Sequence, residues 1–227
     1  MARWLLLAAS AALFASTASA AAVLVVRSSG PSAGAYPPGK ALPDSHVLKL
    51  KASDTVVLLD ARGTRTLSGP GNFSVSANAA STPTARTAGT SARRVRLGAV
   101  RGTETRSVWQ ADIERSGNVC IANPSELTLY RSDASKDATV TLTDSAGQTA
   151  TVVFKANQWD AAWPKAIAVT SGARVNVTGL GEPAMLTLRQ LSPIPTGLEA
   201  MAQSLIRANC EAQLDALIET ISPRSEG

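Results

Sequence analysis

Histidine is nearly absent from this chain: His46 is the only one in 227 residues. The commonest general base is therefore missing from every other position, and with it the commonest metal ligand. Cysteine occurs twice, at Cys120 and Cys210. Two cysteines and a lone histidine make a poor zinc ligand set, so neither a metal centre nor another cofactor is expected. Aromatic residues are only 4% of the chain, which leaves a core to be built from Val, Leu, Ile and Ala. No glycine-rich phosphate loop, EF-hand loop or zinc motif occurs. Beyond the first residues no apolar run approaches the ~20 positions of a membrane-spanning helix, so no transmembrane segment is expected in the mature chain.

What is present begins with an export signal. Met1-Ala2-Arg3 gives a positive start, and Trp4 to Ala15 is apolar apart from Ser10. Ala18-Ser19-Ala20 then reads as an A-x-A cleavage site. Residues 1–20 are expected to be a signal peptide cleaved after Ala20, with retention as an uncleaved anchor the alternative. The mature protein is expected in the periplasm or outside the cell. The formal charge of +5 is mild and uneven: Arg86, Arg93, Arg94, Arg96, Arg101 and Arg106 share one stretch. In an exported chain nucleic acid is no sensible target. A solvated basic linker is the expectation, and attraction to anionic envelope polymers or lipid head groups the alternative.

Composition and periodicity point to a mainly β protein. It would hold two small antiparallel β-sandwich-like regions and one C-terminal amphipathic helix. In residues 21–76, Val23-Leu24-Val25-Val26 is an apolar run of strand length. Alternating runs follow at 47–51, 55–59 and 64–67, then Phe73-Ser74-Val75, all separated by turn residues. This predicts a small β-sandwich or rolled sheet. Residues 77–105, rich in Ala, Ser, Thr and Arg, read as a linker or mobile loop, with a short strand conceivable at 95–100. Residues 106–192 read as a second sandwich, with strands at 127–130, 138–143, 149–154, 167–170, 174–177 and 185–188. The 144–148 segment Asp-Ser-Ala-Gly-Gln is a hairpin signal. In 193–227, Thr196-Gly197-Leu198-Glu199 reads as a capping box. An apolar stripe from Leu198 through Met201, Leu205, Cys210, Leu214 and Leu217 to Ile221 predicts one helix, stopped by Ser222-Pro223.

Cys210 lies on that stripe. In an oxidising compartment an even cysteine count suggests a Cys120–Cys210 disulfide stapling the helix to the second β region; two buried thiols are the alternative. The closed loop of about 90 residues would confer on the order of 4–5 kcal/mol.

No catalytic constellation emerges. His46 stands beside Asp44 and Ser45, but neighbours at a strand start do not form triad geometry, and an exposed loop histidine is expected. Asp112 and Glu114 are two apart on an extended segment and would face one side. Asp133, Asp137 and Asp160 read as turn formers or solvated charges. The sequons Asn72-Phe73-Ser74 and Asn176-Val177-Thr178 matter only in a eukaryotic secretory pathway. Trp109, Trp159 and Trp163 are the candidate ligand platform, for sugar rings or a peptide, with core packing the competing role. Trp159 to Pro164 reads as a loop on a sheet edge.

Gly39-Lys40-Ala41-Leu42-Pro43-Asp44, Leu48 to Val56 and Asp60-Ala61-Arg62-Gly63-Thr64-Arg65 resemble FecR-like periplasmic domains of bacterial envelope proteins. The likeness covers about 40 residues of the 227. It rests on turns between short strands, and Ser53 stands where that family usually has glycine. The resemblance implies an envelope sensing role, but with no second apolar span a relay through the membrane is not expected along this polypeptide. The expectation is a non-catalytic interaction or scaffold protein of an envelope sensing or assembly system, with an envelope protein as partner. The alternatives are a carbohydrate or cell-wall binding module, whose partner would be a glycan, and an enzyme with an unrecognised site.

Overall fold

The computed structural model describes residues 23–61, 63–76 and 106–221. The export signal, the basic linker with Arg86 to Arg101, the strand at 95–100 and the Ser222-Pro223 stop all lie outside the described residues. Over the described residues the protein is mainly β, with several small sheets, two C-terminal helices and no closed barrel.

In the N-terminal region, β1 (Val23–Ser29), β2 (Ala41–Leu42), β4 (Thr55–Asp60) and β5 (Gly63–Ser68) form an antiparallel sheet in the order β2-β1-β4-β5. A second pair, β3 (Val47–Leu50) and β6 (Gly71–Ser74), lies antiparallel. Side chains alternate across a strand, and β1 and β4 use both faces. Val23, Val25, Val56 and Leu58 pack into the core that also holds Leu48, Leu50 and Leu67. Leu24, Val26, Val57 and Leu59 point the other way, onto the C-terminal helices. That is why 23–26 is an unbroken apolar run: a strand buried on both faces has no polar side to alternate with.

Asp54 organises the turns of this region. Its side chain is buried, accepts hydrogen bonds from the backbone amides of Ser32 at 2.8 Å and Lys51 at 2.5 Å, and its carbonyl accepts from Gly69 at 2.9 Å. Gly30 approaches so closely that a Cβ there would lie 2.6 Å from the Asp54 carboxylate. Burial works to raise the pKa of Asp54, but the hydrogen bonds from Ser32 and Lys51 outweigh it and hold the carboxyl below its ordinary value. Asp133 and Asp137 are also held low, the first chiefly by Ser135 and the second chiefly by the Ala156 amide. A depressed folded pKa contributes stability above the unfolded pKa, and this is lost as pH falls through the folded one. Urea midpoints should therefore hold steady from neutrality to about pH 4 and then fall. An Asp54→Asn variant should start lower and fall less steeply over the same titration.

Beside it, Ser53 adopts φ 66°, a left-handed conformation that strains a residue with a Cβ. Ser53→Gly should raise stability by about 0.5–1 kcal/mol, the relieved strain being partly offset by glycine's greater chain entropy. Chemical denaturation measures this directly.

The second region is a sandwich of two sheets over one core. Its larger sheet contains β8 (Gly117–Ile121), β10 (Ala138–Asp144), β11 (Thr149–Phe154), β13 (Arg174–Thr178) and β14 (Ala184–Gln190), in the order β11-β10-β13-β14-β8. Its smaller sheet runs β12-β9-β7, from β7 (Gln110–Asp112), β9 (Thr128–Tyr130) and β12 (Asp160–Ala162). The expectation of purely antiparallel pairing is corrected: β8 lies parallel to β14 and β7 parallel to β9. Long connections, not tight hairpins, lead between these strands, so nothing forces them antiparallel. The strand expected at 167–170 is a loop. Ile167 donates its amide back to Pro164 at 3.0 Å and buries its side chain in the core without a ladder. Conversely, the loop expected at 159–164 contains β12.

The single expected helix is two, α1 (Leu198–Arg207) and α2 (Glu211–Ile221). Asn209 takes φ 54°, and the Cys210 amide reaches back to the Leu205 carbonyl at 2.9 Å. This is a left-handed helix stop at a residue that tolerates it. The apolar stripe reads straight through because both helices rest on the same core. The Thr196 cap is also corrected: the N-cap is Gly197 at φ 86°, without a side-chain cap bond.

Candidate functional site

The C-terminal helices join the two β regions. Cys120 sits on β8, facing away from its sandwich core, and bonds to Cys210 at the α1–α2 junction, with Cα atoms 5.9 Å apart. Around the bond lie Leu205, Leu214 and Leu217 from the helices and Leu24, Val26 and Leu59 from β1 and β4. The staple inferred from sequence therefore reaches further, since the helix it pins also covers the outer face of the N-terminal sheet. Asp215 on α2 reinforces the joint by pairing with Arg27 of β1 and with Arg115 at 3.0 Å.

Gln213 completes this seam. Fully buried, its side chain accepts from the Cys120 amide at 2.5 Å and donates to the Cys120 carbonyl at 2.7 Å and the Val108 carbonyl at 2.8 Å. It thus occupies the free edge of β8 as a neighbouring strand would. The sequence held a signal for it: Gln213 is the one strongly polar residue within the stripe Cys210, Leu214, Leu217.

At the opposite edge of the same sheet, β11 is paired, among the described residues, with β10 alone. Among the described residues, the backbone of Thr149–Phe154 makes no further hydrogen bond beyond that ladder. The strand carries no charge, proline or glycine, and Val153 is 51% exposed. Devices that normally blunt an edge are thus missing from it.

The tryptophans do not assemble into one platform. Trp109 precedes Gln110, which pairs with Thr128, and the Trp163 amide bonds to the Leu127 carbonyl, so these two flank the same end of β9. Trp159 is at the other end, its carbonyl accepting from Arg131. Trp163 is only 8% exposed, lies in the sandwich core and donates its indole N–H to the Ile167 carbonyl at 2.8 Å. Trp109 and Trp159 are half-buried.

The carboxylates are engaged locally. Asp112 is buried, pairs with Arg106 at 3.1 Å and accepts from the Glu114 amide. That bond turns the chain, so Asp112 and Glu114 do not present a shared face; Glu114 reaches the Ser132 amide at 2.6 Å instead. Arg106 meets Asp112 by charge without aligned hydrogen-bond geometry, and its guanidinium lies 5.0 Å from the Tyr130 ring centre. Burial pushes the Tyr130 phenol up, with Arg106 opposing. The cleft beside Asp112 is small, about 130 Å³, and is lined also by Arg115, Asn118 and Gln213. Asp160 is exposed on β12. His46 is not the exposed loop residue expected: it is half-buried, its ring edge-on to Tyr36 at 6.1 Å, because the 30–40 loop folds over it. Both sequon asparagines lie inside strands, Asn72 on β6 and Asn176 on β13. Among the described residues no group of three or more His, Cys, Asp or Glu is placed to hold a metal ion, and no helix is long and apolar enough to cross a membrane.

Arg131 was missed from sequence. It is 1% exposed, donates to the carbonyls of Gln158, Lys136 and Lys155 at 2.7–2.9 Å, and stacks 5.1 Å over Phe154. Its signal was position: it follows Leu127 and Leu129 at the inward-facing period of two.

The class defined by this geometry is a mainly β protein of two β regions joined by a disulfide-bonded helix pair. No protein-family model, curated protein or solved structure matches the chain.

Proposed function

We propose that this is an exported periplasmic, non-catalytic scaffold that binds an envelope protein by adding an extended segment of that partner to β11. The observation that carries the reading is the asymmetry of the five-stranded sheet: Gln213 and α2 cover one edge, and nothing among the described residues covers the other. An open, uncharged, β-branched edge supplies main-chain hydrogen bonds to an incoming strand, and alternate side chains read its sequence. The left-handed Ser53, at the position where FecR-like domains usually carry glycine, supports an N-terminal FecR-like region within such a system. Export supplies the oxidising compartment in which the Cys120–Cys210 bond persists.

A photocrosslinking amino acid at Thr151, introduced in the intact envelope, tests this. One dominant adduct with an envelope protein is expected, and it should disappear when Val153→Pro blocks the edge in a chain that still unfolds cooperatively. A chain that stays free of adducts, or an adduct indifferent to Val153→Pro, contradicts the reading.

A further inference from the structure

We infer that the outer face of the five-stranded sheet docks an anionic polysaccharide. The inference goes beyond the protein–protein reading: it concerns the side-chain face of the sheet, bordered by Thr149 and Thr151 of β11, and not the open backbone edge of that strand.

The face is a grid of hydroxyls. Thr151, Thr141 and Thr178 stand in one cross-strand row, and Thr149, Thr143 and Asn176 in the next. All are exposed or half-exposed. Neighbouring strands lie ~4.8 Å apart and alternate residues of one strand ~6.8 Å apart, so the hydroxyls repeat in two directions. Each is one donor and two acceptors. Among the described residues none of these threonine hydroxyls is taken by an internal side-chain hydrogen bond, so the array is free to pair with a polyhydroxylated chain laid across it.

Charge then selects the kind of polyol. Beyond the threonine rows, Arg174 pairs in register with Thr187, and Arg189 follows two residues along β14. This places the two arginines on a diagonal of one face, ~7–8 Å apart. Both are exposed, and neither has an acidic partner among the described residues. Arg189 is also directly opposite Cys120 in register, which brings the α1–α2 junction to its side. There Arg207 is the one charged residue lining a cleft of about 570 Å³ between 190–196 and α1. One acidic residue, Asp144, ends β10 opposite Val175 and beside Arg174, but its carboxylate accepts the Ala146 and Gln148 amides of the β10–β11 turn. The other acidic groups of the sheet lie away from the arginines. Asp137, at the start of β10, is paired with Lys155 at 3.0 Å, and Glu182 lies in the β13–β14 turn at the end of the sheet away from Arg174 and Arg189. Guanidinium forks match carboxylates and phosphates of a polymer bidentately.

A protein partner fits this face less well. Protein interfaces concentrate energy in buried aromatic and apolar anchors. The large exposed apolar residues here are Val153 and Met185, on β11 and β14 with two strands between them.

The test uses the full oxidised chain with polygalacturonate, dextran and anionic phosphatidylglycerol vesicles as probes, read by sedimentation or calorimetry. Saturable binding to polygalacturonate is expected, with at least tenfold weaker binding to dextran and to vesicles. An Arg174→Glu/Arg189→Glu variant should lose at least tenfold in affinity. A Thr141→Val/Thr151→Val variant, which keeps charge and β-branching, should lose at least threefold. Both variants are to be checked for an unchanged unfolding midpoint. No binding, equal binding to vesicles, or affinity unchanged in either folded variant would overturn the inference, the last for the threonines reducing it to charge attraction alone.

Discussion

A Cys120→Ala/Cys210→Ala chain should be less stable than the oxidised protein by about 4–5 kcal/mol, a fall in Tm of roughly 10–15 °C for a chain of this length. The bond joins residues 90 apart in sequence, so its loss frees a long loop in the unfolded ensemble. Both cysteines are fully buried in the core shared by β1, β4, β8 and the helices. With only two cysteines in the chain, no other disulfide can hold α1 and α2 on the sheets. Gln213 bonds both backbone groups of Cys120, so loosening α2 also uncovers the β8 edge. The variant should therefore show α2 amides exchanging early, with the sandwich core still protected. Thermal unfolding of the two forms measures the effect; a difference under about 1 kcal/mol would mean the bond constrains little.

The second large effect belongs to Arg131. Replacing it by methionine should cost on the order of 4 kcal/mol, because three partly buried carbonyls lose a charged donor at once and hydrogen bonds to charged groups contribute about 1.5–3 kcal/mol each without full additivity. The three acceptors come from two segments distant in sequence, Lys136 from one and Lys155 and Gln158 from the other. Arg131 thereby fixes the loops that lead into β10 and out of β11 while its guanidinium covers Phe154. Arg131→Lys retains the charge but not the planar fork. It should recover less than half of the loss, as measured by urea unfolding. Full recovery by lysine would show that charge, not geometry, is what the site requires.

Much of the fold was legible because local pattern and burial agree. Alternation at 138–143 and 149–154 became β10 and β11, joined by the turn that Asp144 closes with bonds to the Ala146 and Gln148 amides. The apolar run at 23–26 signalled a strand, and the structure adds the reason: two cores, one on each face. Strands β8 and β12 escaped notice because their partners are distant in sequence, and no alternation survives in Gly117–Ile121, where one face meets the sandwich and the other the helices. The helix break at Asn209 was hidden by an apolar stripe that continues across it. The candidate site was least legible. The tryptophans drew attention as a residue type, whereas the open edge, the threonine rows and the arginine pair depend on strand order and register, which periodicity does not encode.

The stapled helices pack on both β regions and should make them one cooperative unit. Differential scanning calorimetry of the oxidised mature chain tests it most directly. A single transition is expected, with calorimetric and van't Hoff enthalpies that agree. Two separable transitions, one of them unmoved when the disulfide is reduced, would contradict it.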